Sequence, residues 1–270
     1  MKNPAKASAE GATSADVSDD AFLGGRIRLL QPRRGYRAGI DAVLLAAAVP
    51  EDLRGASGNT LLDAGAGIGT VGLCAARRLC ELRVTLIERE PQLVDLAREN
   101  IARNELGDRA CVHLTDLTVH GNGPLSCQLA PESYAVVVAN PPFIAARDGT
   151  MSEFPLKRSS HALRPQETLD QWCRFLARMC APGGLAIVIH TTEGLDDIMT
   201  GFKGRFGGLI IQPLHPRHGE AANRVIVAAR KGQRVRTRIL PGIEIHAEGH
   251  DFTPRIAAVL RDGAGLRLPF

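Results

Sequence analysis

The chain contains no apolar run near the ~20 residues that a membrane-spanning helix requires, so no span is expected. Residues 1–20 also lack the apolar middle of a secretory signal, and the expectation is a soluble, cytoplasmic protein. No two of the six cysteines stand in Cys-x-x-Cys spacing. Neither a zinc site nor a disulfide framework is therefore indicated, and the thiols are expected to be reduced and buried. Among eight histidines His215 and His218 stand closest together, without the helical or Cys-rich context of a ligand pair, so no metal is expected. No internal repeat is visible. Lysine is scarce, since arginine supplies 28 of the 33 cationic side chains, a bias that favours bidentate contacts to phosphate and is equally what the codon bias of a GC-rich genome produces.

What is present suits a globular chain with one sizeable core: 270 residues, 44% hydrophobic and 23% charged, with a net charge of +4. Residues 1–20 are rich in Ala, Ser, Lys, Glu and Asp without periodicity and read as a disordered leader. The remaining body is mildly basic, which is compatible with a polyanionic partner.

From residue 60 onward short apolar runs alternate with helical patterns. Strands are expected at 60–63, 83–87, 111–114, 134–139, 185–189, 208–212 and 223–229, and helices at 91–104, 168–180 and 195–206. Such alternation predicts an α/β, doubly wound, mostly parallel seven-stranded sheet with helices on both faces. Before it, residues 21–59 read as a hairpin and a helix. After it, 231–270 read as a basic strand-and-helix extension that begins with Lys231, Arg234, Arg236 and Arg238, just after Arg230. Residues 145–166 form a long polar segment of the kind that is usually functional or disordered.

Polar residues recur where these strands end. Asp63 closes the first and leads into Ala64-Gly65-Ala66-Gly67-Ile68-Gly69, Glu88 closes the second, Asp116 follows the third, and Asn140-Pro141-Pro142-Phe143 follows the fourth. In open α/β sheets that edge is where ligands bind. The prolines end the fourth strand and force Asn140 out of helical geometry, with its carboxamide at the sheet edge. Gly67-x-Gly69-x-x-Gly72 is also a literal dinucleotide fingerprint, with Glu88 near the position of the ribose-binding acid. Against a pyrophosphate stands Asp63, whose charge opposes phosphate and suits a cationic amino-acid end. Asn-Pro-Pro-Phe has no role in hydride transfer.

On these residues the sequence resembles the class I S-adenosylmethionine-dependent methyltransferases. Leu61 to Thr70 resembles their cofactor loop, Glu88 their ribose acid, Asp116 their adenine contact, and Asn140-Pro141-Pro142-Phe143 the catalytic tetrapeptide of the branch that methylates exocyclic or amide nitrogens. Two further stretches, Gln31 to Ala46 and His215 to Arg224, resemble the bacterial tRNA (adenine-N6)-methyltransferases that modify valine tRNA. Members of that group often carry Tyr where Phe143 stands, so the aromatic face is kept and a hydroxyl is missing. The resemblance implies a catalytic set of Asn140, Pro141, Pro142 and Phe143. It implies a cofactor set of Tyr36, Arg37, Asp41, Asp63, Ala64, Gly65, Gly67, Gly69, Glu88, Asp116, Leu117 and Asn140, with S-adenosylmethionine as cofactor, S-adenosylhomocysteine as its product, and tRNA as partner. The rival readings are amide methylation of a release factor, guanine-N2 methylation of rRNA, adenine-N6 methylation of DNA, and a non-catalytic or NAD-type nucleotide-binding module.

Overall fold

A computed structural model of the chain describes residues 16–35, 37–53, 58–118, 129–142, 167–249 and 251–270. Tyr36, Phe143, Cys127 and the segment 145–166 lie outside them.

An antiparallel hairpin comes first, β1 (Val17–Phe22) against β2 (Ile27–Pro32), followed by α1 (Ile40–Ala48). The alternating section then runs β3 (Thr60–Ala64), α2 (Thr70–Arg78), β4 (Arg83–Glu88), α3 (Pro91–Arg103), β5 (Ala110–Leu114) and β6 (Tyr134–Ala139). It continues with α4 (Leu169–Met179), β7 (Cys180–Thr191), α5 (Leu195–Phe202), β8 (Phe206–His215) and β9 (Arg224–Lys231). Two short strands, β10 (Arg238–Ile239) and β11 (Ile243–Glu244), precede α6 (Pro254–Ala257).

Across the main sheet the order is β5-β4-β3-β6-β7-β9-β8-β10, with β11 also on β8. Every pairing is parallel except those of β9 with β7 and β8. The seven expected strands are all present, and β10 and β11 bring the sheet to nine strands among the described residues. It is an α/β, mostly parallel, doubly wound sheet.

Its strands are apolar on both sides because both sides are covered. Leu61, Val136, Val138 and Ile187 pack into the layer of α1, α2 and α3, whereas Leu62, Val137, Ala139 and Val188 pack into the layer of α4 and α5. The period-2 alternation of a strand sends neighbouring residues to opposite cores.

Three expectations need correction. The leader does not extend to residue 20: β1 begins at Val17, and Asp19 binds Arg28 at 3.2 Å and Arg103 at 2.7 Å. Composition reads this stretch as unstructured, but Val17–Phe22 completes an antiparallel ladder with β2 and its acids meet arginines across the hairpin. The C-terminal region is no appendage, since Ile243, Ile256, Val259, Leu266 and Leu268 enter the same core as Leu44 and Leu45. Finally, Cys74, Cys173 and Cys180 are buried, but Cys80 and Cys111 are exposed. An apolar neighbourhood in sequence does not bury a residue at a helix end or on an edge strand such as β5.

Candidate active site

The chain runs outward through β3, β4 and β5 and returns to lay β6 beside β3. That reversal of strand order opens a crevice at the carboxyl ends of β3 and β6. Register brings the strand tips level there. Ala64 pairs with both Ile87 and Ala139, so the next residues, Gly65, Glu88 and Asn140, stand side by side at the sheet edge.

One cleft lies over these tips, with ≈ 960 Å³ of free space counted out to its solvent mouth. Its floor and first wall come from Gly65, Ala66, Gly67, Glu88, Arg89 and Leu93. The opposite wall is Asn140, Pro141, Pro142, Glu167 and Trp172, and α1 contributes Asp41 and Ala42 beside Arg37. Thr115 and Leu117 close the β5 end.

The glycine turn is shaped by what packs on it. Gly65 has φ +69°, and a Cβ there would stand 2.4 Å from the indole of Trp172. A Cβ at Gly72 would fall 2.5 Å from Leu86, so this glycine lets α2 lie directly on β4. Glu88 is 7% exposed. Its Oε2 accepts the Gly67 N–H at 2.8 Å, and its Oε1 accepts the N–H groups of Arg89 at 2.7 Å and Glu90 at 2.9 Å. Burial raises its pKa, opposed by those three backbone donors. A carboxylate thus sits on the turn's own N–H, where a dinucleotide would place its pyrophosphate, and this arrangement counts against the dinucleotide reading.

Asp63 lies beneath the turn and not on the cleft wall. It is 1% exposed, and its Oδ2 accepts the Gly72 N–H at 3.0 Å. Burial pushes its pKa up to about 7, partly offset by the Gly72 hydrogen bond. The expectation that it touches a ligand's cationic end is therefore replaced by a role in tying α2 to β3. Ala64 and Gly69 are likewise outside the lining. So is Asp116, whose Oδ1 accepts from the Thr118 N–H at 2.9 Å and hydroxyl at 2.6 Å, an Asx turn that uses the carboxylate locally.

Asn140 behaves differently. Its Oδ1 is buried at the cleft and has no hydrogen-bond partner among the described residues. A buried orphan acceptor costs about 1–3 kcal/mol, and in a native fold it asks for an explanation. Behind it stands His190, 1% exposed at the end of β7. Burial lowers the His190 pKa, while hydrogen bonds to the backbone of Thr191 and Pro142 oppose the shift.

Several site residues escape sequence reasoning. Arg89 and Glu167 form a 2.7 Å ion pair on the cleft wall, with side chains 12% and 2% exposed. Arg224 holds Asp41 at 3.0 Å, and it belongs to the His215–Arg224 stretch already singled out. Trp172 gave no signal beyond an apolar helix face. Arg37, meanwhile, donates to Asp20 and Ser18 at 3.0 Å, so the hairpin fixes the cleft's outer wall.

Comparison with known proteins fits this geometry. Residues 39–169 match the model of the methyltransferase small domain. The tRNA1(Val) (adenine(37)-N6)-methyltransferase of Porphyromonas gingivalis is 31% identical over 164 residues, 56% of this chain and 63% of that one. The protein of the same name from Trichodesmium erythraeum is 24% identical over 86% of this chain and 92% of its own. The chain thus spans somewhat under two thirds of the Porphyromonas relatives it matches. A crystal structure from Agrobacterium tumefaciens, described as a predicted O-methyltransferase, superposes with a TM-score of 0.69 at 28% identity, covering 85% of this chain and all of that one. Sheet order, glycine turn and strand-tip cleft all agree with the methyltransferase small domain model that residues 39–169, just under half of the chain, match.

Proposed function

We propose that the protein is an S-adenosylmethionine-dependent N-methyltransferase acting on the exocyclic N6 of adenine in tRNA. The observation that carries the reading is the unpartnered, buried Oδ1 of Asn140 at the lip of the cleft. An amino group conjugated to a purine is a poor nucleophile because its lone pair is delocalised into the ring. Two fixed acceptors, Asn140 Oδ1 and the Pro141 carbonyl, take its two N–H groups and favour a pyramidal nitrogen with the lone pair directed at the cleft. This is preorganisation and proximity, and no strong base is needed.

The cofactor supplies an electrophilic methyl group on a sulfonium. Toward it the chain offers Glu88 for ribose hydroxyls, the backbone of Gly65 and Gly67 at close approach, Leu93 and Leu117 as apolar walls, and Asp41 with Arg37 at the outer end. Phe143 supplies a stacking face for the target base, worth about 1–3 kcal/mol in single-strand sites. Tyr36 is assigned to the cofactor's outer end. An anticodon loop presents partly unstacked bases and suits such a pocket.

The Agrobacterium description raises oxygen as an acceptor. A hydroxyl has one hydrogen and needs a base, which a carboxamide is not, so the Asn140 environment favours nitrogen. Incubation with labelled cofactor and, in parallel, total tRNA, rRNA, DNA and release factor, followed by identification of the product, tests the reading. N6-methyladenosine in tRNA is expected. Label in protein alone, or none with S-adenosylhomocysteine binding absent, overturns it.

A further inference from the structure

Between Glu220 and Glu244 the chain has no acid, yet it carries Arg224, Arg230, Lys231, Arg234, Arg236 and Arg238. Residues 232–239 are exposed without interruption. Five arginines elsewhere on the surface are neutralised: Arg28 and Arg103 by Asp19, Arg37 by Asp20, and Arg174 and Arg205 by Asp170. Arg234 and Arg236 have no carboxylate or hydrogen-bond partner among the described residues. Two of the four large hydrophobic side chains exposed among those residues, Val235 at 63% and Ile239 at 72%, alternate with them.

The segment is also directed. It closes against the foot of β8, where a Cβ at Gly208 would meet Val235 at 2.6 Å. It then runs parallel to β8, with Arg238 opposite Ile210 and Ile243 opposite Leu214. β8 in turn runs in the same sense as β7 and β6, so the segment climbs the outer edge of the sheet toward the edge that holds Asn140. Four strand spacings separate β10 from β6, about 19 Å.

We propose that Arg234-Val-Arg-Thr-Arg-Ile239 is a docking rail for the phosphodiester backbone of the same RNA whose base enters the cleft. The inference rests on the RNA reading above. Charge decides the occupant: unneutralised guanidinium groups on an exposed edge gain most from a polyanion whose condensed counterions they release. A guard against edge-to-edge self-pairing is the competing use of a basic edge strand.

Binding of total tRNA to the full chain, measured from low to physiological salt, separates these outcomes when wild type is compared with Arg234→Gln/Arg236→Gln and Arg234→Lys/Arg236→Lys. The Gln pair is expected to make the slope of log affinity against log salt shallower by about 1.4–1.8, the share of two phosphate contacts, while the Lys pair keeps it. S-adenosylhomocysteine affinity should be the same in all three. An unchanged slope in the Gln pair overturns the rail and leaves the methyltransferase reading standing. Concentration-dependent association of the Gln pair with an unchanged slope assigns the edge-guard role and also overturns the rail. If wild type binds S-adenosylhomocysteine but not tRNA, the RNA reading fails, and the rail with it.

Discussion

At the scale of single residues, two buried polar groups carry opposite consequences. Asn140 presents an acceptor without a partner among the described residues, so its removal leaves the resting protein content and harms the reaction. Asn140→Ala is expected to lower kcat by about 10²–10³-fold, the cost of deleting one preorganised polar contact to a reacting group. S-adenosylhomocysteine affinity should change only a few-fold, and equal losses in both would make Asn140 a structural residue. Asp63 is burdened in the other direction. Its pKa in the fold, about 7, lies above the ordinary carboxyl value of 3.8. The folded chain therefore holds a proton that the unfolded chain releases, and stability falls as pH rises from about 4 through about 7. Glu88, whose pKa is also raised, adds a change of the same sign. Asp19, Asp20 and Asp170 are shifted down and act in the opposite sense, at pH below their ordinary value. Asp63→Asn keeps an acceptor for the Gly72 N–H and should flatten the decline, as followed by urea unfolding between pH 4 and 8.

At the scale of elements, the join between the hairpin and the sheet is made by two asparagines. Asn100 in the last turn of α3 and Asn104 at its C-terminal cap are almost fully buried. Asn100 accepts the Leu30 N–H at 2.7 Å and donates to the Leu30 carbonyl at 3.0 Å, and Asn104 repeats the exchange with Arg28 at 3.0 and 2.7 Å. The helix thus completes a strand edge that would otherwise be left unpaired. Asn100 also donates to the Ile68 carbonyl in the glycine turn at 3.2 Å. Asn100→Ala should cost about 1–3 kcal/mol in unfolding free energy and weaken S-adenosylhomocysteine binding. A loss of stability with binding intact would uncouple the turn from the helix. These contacts mark where sequence reading stops. The apolar positions of α3 were legible because Leu93, Ala97 and Ile101 recur at helical spacing, and the strand tips were legible because Gly and Pro punctuate them. An asparagine on a buried helix face looks like any polar interruption until the strand that it satisfies is known. Asp63 and Asp116 were misplaced for a related reason: a tip position is set by the strand, but a side chain's direction is set by the nearest N–H it can satisfy, which here lay inward for Asp63 and in the next turn for Asp116.

At the scale of the molecule, residues beyond the sheet are part of its core. The Leu266 N–H donates to the Ala47 carbonyl at 2.8 Å, and Ile256, Val259, Leu266 and Leu268 are buried with α1. Burying four such side chains contributes roughly 6–12 kcal/mol, as much as a whole domain's net stability. Deletion of residues 254–270 should therefore abolish cooperative folding of the sheet, as seen in the loss of a thermal unfolding transition. A truncated chain that melts like the full one would show the C-terminal region to be peripheral. The contact of Gly65 with Trp172 has a consequence of the same reach. Gly65 lies in the turn after β3 and Trp172 on the covering helix α4, and they meet at the strand tip, so position 65 cannot gain a side chain while Trp172 is kept. At φ +69° a side chain at 65 is strained whatever the space, and while Trp172 is kept it would also collide with the indole and wedge the cleft apart. Among descendants of this sequence, then, the order in which substitutions at 65 and 172 arrive is fixed by geometry, and position 172 must move first.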